Sequence, residues 1–421
     1  MLLIRGSRVY TGIQGIGGQD TGNQRAGYQE TNCQETGDTG TFLDILIKDG
    51  KINKIGIAGS VPAAHDMEII DATGFIVAPG LVDMHVHFRE PGFEYKEDIL
   101  TGAAAAAAGG VTTCCCMPNT SPVADNTEIV ESIVHKAKQA PIAVLPIGAV
   151  TVGQQGNELT EFASLKSAGA VALSDDGIAI HSEKVMREAL QQASSNDFLI
   201  ISHCEPEELM VARDVRLAGE TDTRVHIAHV STADAVDTIR NARKTGIKVT
   251  AETCPHYFTL TESAVKAKGT LARMSPPLRT KKDVEAIING LRDGTIDVIA
   301  TDHAPHSAEE KALPFDEAPN GIIGLETSLA LALTFLYHSG KLSIDEIIKL
   351  MSTRPAEILK IEAGNLIEGG AADIVIFDPD EEWTVDPSLF KSKARNTPFG
   401  GMKLRGKVKY TISQGKIVYS D

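Results

Sequence analysis

The stretch GAVALSDDGIAIHSEKVMREALQQASSNDFLIISHCEP, residues 169–206, contains the pattern that decides the fold. An apolar segment ends in two adjacent carboxylates, Asp175 and Asp176, a segment of helical length follows, and a second apolar segment ends in His203. This order is typical of a strand, a helix and a second, parallel strand. Because an unpaired carboxylate at the end of a buried strand is costly, the sequence predicts a positively charged partner at this position.

The same alternation runs from residue 72 to about residue 306. Eight apolar strand candidates are separated by segments of helical length, such as EDILTGAAAAAAGG at residues 97–110. Strands that are apolar along their whole length, with helices between them, predict an α/β protein built on a closed, TIM-type (β/α)8 barrel. An open doubly wound sheet is the alternative, and it is disfavoured because no glycine-rich phosphate turn follows the first strand.

Both ends of the chain carry short strand patterns of another kind, beginning with LLIRGSRVYT at residues 2–11. We expect the two ends to form one small β-sandwich domain, residues 1–75 and 362–421, with the barrel, residues 76–361, inserted between them. Residues 11–41 are rich in Gly, Gln and Thr and nearly free of large apolar side chains. Such a composition cannot bury enough surface to fold alone, so it predicts a solvated surface insertion.

The bulk composition excludes several classes of protein. A formal net charge of -16 argues against nucleic acid and against an anionic membrane surface as partners. No apolar run approaches the roughly 20 residues that span a bilayer. The N-terminus lacks the features of a signal peptide, so we expect a cytoplasmic protein. Six cysteines, three of them consecutive at residues 114–116, are predicted to be buried small hydrophobes in a reducing compartment.

Polar side chains collect where the predicted barrel strands end. These residues are His85, His87, Asn119, Asp175, Asp176, His203, His229, Asp302, His303 and His306. In a (β/α)8 barrel the carboxyl ends of the strands form the active-site mouth, so these groups should converge. The H-V-H segment places both imidazoles on one face of its strand. Imidazole and carboxylate together suit zinc or a similar divalent ion, and the sequence therefore predicts a metal site at the mouth.

Several motifs carry a resemblance to a known family. GLVDMHVHFREPG, residues 80–92, resembles the metal-binding start of the amidohydrolase superfamily and, more narrowly, of the dihydroorotase family. MPNTSP, SDDG, HCE, HVST, PPLR and TDHAPH are similar to that family's motifs and occur in its order. GNLIEGGAADIVIFD resembles the return to the small β-domain seen across the superfamily. The resemblance covers nearly the whole chain apart from the Gly/Gln-rich insertion.

The resemblance implies one or two zinc ions. The implied ligands fall into two groups, with His85, His87 and Asp302 on one ion and His203 and His229 on the other. Many relatives bridge the two ions with a carboxylated lysine, but AGAVALSDDG contains no lysine. The chain thus resembles the subgroup with an aspartate bridge, for which the distance to His203 favours Asp176 over Asp175. His226 lies on the opposite strand face from His229, so we interpret it as structural.

The resemblance also implies an activity, the interconversion of dihydroorotate and N-carbamoyl-aspartate in pyrimidine synthesis. Asp302 would be the proton shuttle, and Arg89 would bind the substrate carboxylate. The implied substrate contacts are His87, Arg89, Asn119, Ser275, His306, Asn320 and Gly321. Two of them depart from the family pattern: Ser275 stands where many relatives have Asn, and Asn320 where an aromatic residue is expected. The polar segment SAEEKALPFDEAPN, residues 307–320, is predicted to act as a mobile lid.

Two other functions remain open at this point. One is a hydantoinase or allantoinase acting on a related cyclic ureide, which the presence of Arg89 disfavours because a hydantoin ring bears no carboxylate. The other is an inactive scaffold bound to another pyrimidine enzyme, which the complete set of ligand types disfavours. The sequence leaves the oligomeric state open, with a homo-oligomer such as a dimer as one option. Association with aspartate transcarbamoylase is conceivable for this family, but no feature of the sequence indicates it.

Overall fold

The computed structural model describes residues 1–12, 41–63 and 67–421. The predicted surface insertion, residues 11–41, therefore lies outside the described residues except at its two ends. The described strands are β1 (Leu2–Val9), β2 (Thr41–Lys48), β3 (Lys51–Ile57), β4 (Glu68–Asp71), β5 (Ile76–Pro79), β6 (Leu81–Val86), β7 (Val111–Cys116), β8 (Ala143–Gly148), β9 (Ala172–Ser174), β10 (Ile200–Ser202), β11 (Val225–Ile227), β12 (Val249–Thr253), β13 (Val298–Ile299), β14 (Ile374–Thr384), β15 (Lys403–Ser413) and β16 (Lys416–Ser420).

The described α-helices separate and flank these strands. They are α1 (Ile99–Ala108), α2 (Thr127–Ala137), α3 (Phe162–Ala168), α4 (Glu183–Ser195), α5 (Glu207–Thr221), α6 (Ala233–Lys244), α7 (Pro255–Thr259), α8 (Ser263–Lys268), α9 (Lys281–Arg292), α10 (Ala308–Lys311), α11 (Ser328–Ala332), α12 (Ile344–Ile348) and α13 (Arg354–Leu359). Their starts follow the local sequence: in α4, for example, Ser182 accepts a hydrogen bond from the Val185 amide and satisfies one free donor of the first turn. None of the described helices combines the length and the apolar character that a membrane crossing requires.

Strands β6 to β13 form the predicted barrel. They pair in chain order, all in parallel. A parallel bridge between Val86 and His303 joins the first strand to the residues after the last one, and the His87 amide donates to the His303 carbonyl at 2.8 Å. The (β/α)8 barrel is thus confirmed. Its closure brings all eight carboxyl strand ends to one mouth.

Apolar side chains fill both sides of the barrel wall. One cluster joins side chains from many strands, including Met84, Cys115, Ile147 and Ile201. A larger cluster packs the alternate residues of the same strands against the surrounding helices. The consecutive cysteines at residues 114–116 are divided between these two clusters, and all three are buried and free, as predicted. Burial on both faces explains why these strands are apolar along their whole length.

A separate sheet contains strands from both chain ends, as predicted. Its order is β16-β15-β14-β5-β1-β2-β3, and β4 also pairs with β1. A bridge between Lys51 and Ala371 joins β3 to the residues before β14, so the sheet curls back around its own apolar core. Ile76–Pro79 pairs with β1 and β14, so this sheet continues to the glycine that precedes β6. The predicted domain boundaries, residues 75/76 and 361/362, stay a prediction.

Candidate active site

Six imidazoles and carboxylates meet at the barrel mouth. None of them is more than 7% exposed, and each lies within a barrel strand or no more than three residues after one. These residues are His85 on β6, His87 directly after β6, Asp176 after β9, His203 after β10, His229 after β11 and Asp302 after β13. The structure therefore brings together every residue for which the sequence predicts a metal-binding role.

Asp176 lies at the centre of this cluster. Its Oδ1 is 3.3 Å from His85 Nε2, 3.3 Å from His203 Nδ1 and 3.5 Å from His229 Nε2, and its Oδ2 is 3.3 Å from His87 Nε2. Burial alone would raise the pKa of Asp176, but the surrounding imidazoles hold that pKa well below its usual value. A carboxylate in contact with four imidazoles is placed to bind a divalent cation together with them.

Asp175 turns away from the cluster. Its Oδ1 accepts hydrogen bonds from the amides of Val150 (2.8 Å) and Thr151 (3.1 Å), and its Oδ2 accepts from the Thr151 hydroxyl. Burial raises the pKa of Asp175 to about 6. Of the two adjacent aspartates, Asp176 thus contacts the candidate metal ligands, and Asp175 is hydrogen-bonded to the loop after β8.

Asp302 faces the two histidines of the first strand. Its Oδ1 lies 3.1 Å from His87 Nε2 and 3.5 Å from His85 Nε2. Burial alone raises the pKa of Asp302, but these imidazoles outweigh burial and hold the pKa below its usual value. The carboxylate is therefore ionised near neutral pH, as a metal ligand or a proton acceptor must be.

Three of the nine described non-glycine residues with a positive φ lie at this mouth. The φ angle is 62° at Arg89, 35° at His229 and 49° at Asp302. Non-glycine residues rarely adopt such angles, each costs on the order of 1–3 kcal/mol, and they persist only where the surrounding structure holds them. Such outliers cluster at functional sites, and these three include two predicted ligands and the predicted substrate anchor.

The donor atoms of the cluster fit a divalent cation. Two groups of three ligand atoms, one atom from each residue, lie within 4.8 Å of one another. The first group is His85, His87 and Asp302, and the second is His85, Asp176 and His229. Although Asp176 Oδ1 is 3.3 Å away, His85 Nε2 makes no hydrogen bond to any described residue. Buried imidazole nitrogens that face carboxylates in this way form the donor set that zinc and similar ions prefer.

Arg89 supplies a cation next to this cluster. Its Nε donates to the Pro305 carbonyl at 3.2 Å, and no carboxylate among the described residues forms an ion pair with it. Burial lowers the pKa of Arg89 to about 10, so the guanidinium remains charged at neutral pH. On the other side of the site, Asn119 Oδ1 lies 2.8 Å from His87 Nδ1, and accepting its proton would orient the ring with Nε2 toward Asp302.

The loop after the last barrel strand completes the mouth. His306 Nε2 donates to the Asn320 carbonyl at 2.8 Å and lies 3.3 Å from Arg89 Nη2. Burial and the neighbouring guanidinium lower the pKa of His306 to about 3, so its ring is neutral. Gly321 has a φ of 123°, and a Cβ there would lie 2.6 Å from the Ala304 Cβ. Only glycine fits this turn, whose backbone lies beside Ala304 and the His306 ring.

The two residues that depart from the family pattern both lie at the mouth, and both have protein partners. The Ser275 hydroxyl donates to Glu205 Oε2 at 2.8 Å, and that carboxylate lies 3.7 Å from His203 Nε2. Asn320 Oδ1 accepts from Arg273 Nε at 3.1 Å. The sequence predicts substrate contacts for Ser275 and Asn320, and the structure brings them to the mouth with their side chains hydrogen-bonded to Glu205 and Arg273.

Sequence reasoning missed two residues that hold the mouth in shape. Asn396, from the connection between β14 and β15, donates to the carbonyls of Ala304 and Gly321 at 3.1 Å each and accepts from the His306 amide at 3.1 Å. Lys311 is buried and donates to three carbonyls, among them Gly321 at 3.0 Å. Lys311 belongs to the predicted lid, residues 307–320, whose mobility stays a prediction.

A third missed residue is Glu252 on β12, which is fully buried and whose Oε1 lies 2.5 Å from His85 Nδ1. A carboxylate inside the apolar strand KVTAET was the available signal in the sequence. His226, interpreted as structural, contacts Glu252 and Thr250 and does not belong to either group of candidate metal ligands.

Residues 76–418 match the amidohydrolase family. A dihydroorotase from Acetivibrio thermocellus is 49% identical over 408 residues, which cover 90% of this chain and 95% of that protein. A dihydroorotase from Syntrophus aciditrophicus is 46% identical, with the same coverage. Among solved structures, an L-hydantoinase from Arthrobacter aurescens superposes with a TM-score of 0.85 at 25% identity, covering 100% of this chain and 96% of the other.

A dihydropyrimidinase from Brevibacillus agri is similar to the same degree, with a TM-score of 0.84 at 25% identity over 99% of this chain and 95% of the other. The solved hydantoinase and dihydropyrimidinase thus share the fold. The proteins named dihydroorotase share, in addition, about half of the sequence.

Proposed function

This chain belongs to the amidohydrolase family and, within it, to the dihydroorotases, and from that membership we propose that it interconverts N-carbamoyl-L-aspartate and (S)-dihydroorotate in pyrimidine biosynthesis. The observation that carries the proposal is Arg89, a cation beside the histidine–aspartate cluster with no carboxylate partner among the described residues. Dihydroorotate bears a carboxylate on a cyclic amide, so it offers one group for the arginine and another for the cluster.

We propose zinc, as one or two ions, for the cluster. The residues that would hold it are His85, His87, Asp176, His203, His229 and Asp302. When bound, such an ion polarises the carbonyl under attack and makes water a better nucleophile. The residues of the chain must then bind the ring, fix its orientation and move the proton.

Arg89 binds and orients the substrate carboxylate in this proposal. Its Nε is held by the Pro305 carbonyl, which leaves the terminal nitrogens for a two-point contact with an anion. His306 is neutral and donates its Nε2 proton to the Asn320 carbonyl, so it adds no second charge beside Arg89. The backbone of Gly321 lies next to this ring and closes the substrate pocket on that side.

Asp302 moves the proton. In ring opening, water adds to the ring carbonyl, Asp302 takes a proton from that water, and the ring C–N bond breaks as Asp302 returns the proton to the departing nitrogen. In ring closure, the ureido nitrogen attacks the protonated side-chain carboxyl, the proton leaves that nitrogen for Asp302, and Asp302 passes it to the departing hydroxyl, which leaves as water. The ionised state of Asp302 fits the first step of hydrolysis.

The overall structural similarity to the L-hydantoinase keeps a cyclic-ureide hydrolase as the second candidate. A hydantoin ring bears no carboxylate, so its binding would leave the Arg89 guanidinium in a closed site without an anion, which is unfavourable. An inactive scaffold is the third candidate, and the intact cluster disfavours it. The cytoplasmic location stays a prediction, and the homodimer stays one option for the oligomeric state.

The proposal is tested by incubating the zinc-loaded protein with dihydroorotate and, separately, with N-carbamoyl-aspartate, and by following both compounds by chromatography. We expect both reactions to reach the same equilibrium mixture. A protein that carries zinc and converts neither compound would contradict the proposal.

Asn396→Ala is expected to raise the KM for dihydroorotate about tenfold and to leave kcat nearly unchanged. The variant leaves the buried Ala304 carbonyl without the side-chain donor and releases the turn that carries His306 and Gly321. Steady-state kinetics and thermal denaturation give the readouts. Ser388→Ala is the control, because it lies exposed in the same connection away from the mouth. A lower Tm with a wild-type KM would assign Asn396 to fold stability alone.

A further inference from the structure

Glu252 is a buried carboxylate on a barrel strand to which the proposed chemistry gives no task. It lies on β12 with no exposed surface, between residues that the barrel wall buries. Taking an ionised carboxylate out of water is costly unless hydrogen-bond donors or cations compensate it. The groups that contact Glu252 must therefore compensate the cost of burying its charge.

Two imidazoles compensate Glu252. Its Oε1 lies 2.5 Å from His85 Nδ1, and its Oε2 lies 3.3 Å from His226 Nε2. On the other side of its ring, His226 Nδ1 lies 2.8 Å from the Thr250 hydroxyl. Strands β6, β11 and β12 thus hold one continuous line of contacts, Thr250 to His226 to Glu252 to His85, in which the last three residues are fully buried.

This line fixes which nitrogen of His85 carries the proton. An ionised carboxylate only accepts hydrogen bonds, so His85 Nδ1 must carry a proton toward Glu252. In the neutral ring, Nε2 then keeps its lone pair, and Nε2 is the atom that faces Asp176 at 3.3 Å and Asp302 at 3.5 Å. By the same reasoning, His226 carries its proton on Nε2, which faces Glu252, and its Nδ1 accepts a hydrogen bond from the Thr250 hydroxyl.

We infer that Glu252 is a positioning residue of the metal site, which holds the Nδ1 proton of His85 and thereby keeps His85 Nε2 oriented and free to bind the ion. It contacts neither the proposed substrate nor the proposed ion and acts through His85, while His226 holds Glu252 in place. Partners of this kind commonly change metal affinity 10- to 100-fold. The inference rests on the metal site of the proposed function but not on the identity of the ring that is opened.

The test is the zinc affinity of the folded protein, measured by competition with a chromophoric chelator. Glu252→Gln keeps the size of the side chain but replaces one acceptor with a donor and removes the charge, so we expect roughly tenfold weaker zinc binding. Glu252→Leu removes both acceptors, and the expected loss approaches 100-fold. His226→Gln loosens Glu252 from the other side and is expected to weaken zinc binding less than Glu252→Gln does.

Asp297→Asn is the matched control, because it removes another buried carboxylate, one that pairs with Arg243 and Arg354 before β13, at the opposite end of the barrel. It is expected to lower thermal stability and to leave zinc affinity unchanged. Excess zinc should restore the activity of Glu252→Gln. It should not restore the thermal stability of Asp297→Asn. Should Glu252→Leu fail to fold, Glu252→Gln and His226→Gln still decide the matter.

Wild-type zinc affinity in both Glu252→Gln and His226→Gln would overturn the inference. That failure is distinct from failure of the proposed function. If the Glu252 and His226 variants bind zinc more weakly but the wild-type protein does not open dihydroorotate, the role of Glu252 is supported and the proposed substrate is contradicted. Unchanged zinc binding in variants of a protein that does open dihydroorotate would support the proposed substrate and contradict the role of Glu252.

Discussion

Asp302→Asn, fully loaded with zinc, is expected to turn over dihydroorotate at least roughly 100-fold more slowly than the wild-type protein. The amide keeps an oxygen that can bind an ion, so excess zinc can restore metal content. It cannot accept a proton from the attacking water or return one to the ring nitrogen, and general acid–base assistance is typically worth about 10²- to 10⁴-fold in rate. The measurement is kcat for hydrolysis, with metal content determined on the same sample.

The pH profile separates the two roles of Asp302. In the wild-type protein, hydrolysis should show an acidic limb, because protonated Asp302 cannot accept the proton of the attacking water. Neighbouring imidazoles hold the pKa of Asp302 below its usual value, which places this limb on the acid side of neutrality. The limb should disappear in Asp302→Asn. A zinc-saturated variant within a few-fold of the wild-type rate would make Asp302 a ligand only, with His306 the next candidate for the proton shuttle.

Arg89→Met is expected to lower kcat/KM for dihydroorotate roughly 30- to 1,000-fold. This factor corresponds to a loss of about 2–4 kcal/mol of transition-state stabilisation. The methionine preserves apolar bulk, but the substrate carboxylate would enter a closed site with no cation to pair with it. Since Arg89 anchors the substrate in the ground state as well as in the transition state, most of the loss should fall on KM. Steady-state kinetics at a saturating zinc concentration give the readout.

Arg89→Lys is the matched control for charge. Lysine keeps the cation but not the planar pair of donors, so an intermediate loss in kcat/KM is expected. Arg89 has a φ of 62°, and neither methionine nor lysine is a glycine, so both variants meet the same backbone requirement at this position. Near wild-type efficiency in Arg89→Met would remove Arg89 as the anchor and favour a hydantoinase.

The barrel and the metal cluster could be predicted because both follow from local pattern. Strands buried on two faces are apolar throughout, and parallel strands place their carboxyl ends at one mouth. Polar residues after most of the apolar segments therefore indicate a shared site, even though His87 and Asp302 are 215 positions apart. The choice of Asp176 over Asp175 rested on the distance to His203, and the alternation of side chains along an extended chain then turns Asp175 the other way.

The residues that support the site could not be predicted in the same way. Asn396 contacts Gly321 and Ala304 across 75 and 92 positions, through a connection that no strand or helix period specifies. Glu252 stands inside a strand, where burial alone does not reveal its partners His85 and His226. Such contacts depend on how separate elements pack, which a single sequence does not encode as a repeating pattern.

The central claim is that the site opens a ring that carries a carboxylate. The most direct measurement is the ratio of kcat/KM for dihydroorotate to that for dihydrouracil, the same ring without the carboxylate, with zinc-loaded wild-type protein. Because Arg89 then has an anion in one case and none in the other, we predict a preference for dihydroorotate of at least roughly 30-fold. Equal efficiency, or a preference for dihydrouracil, would contradict the claim.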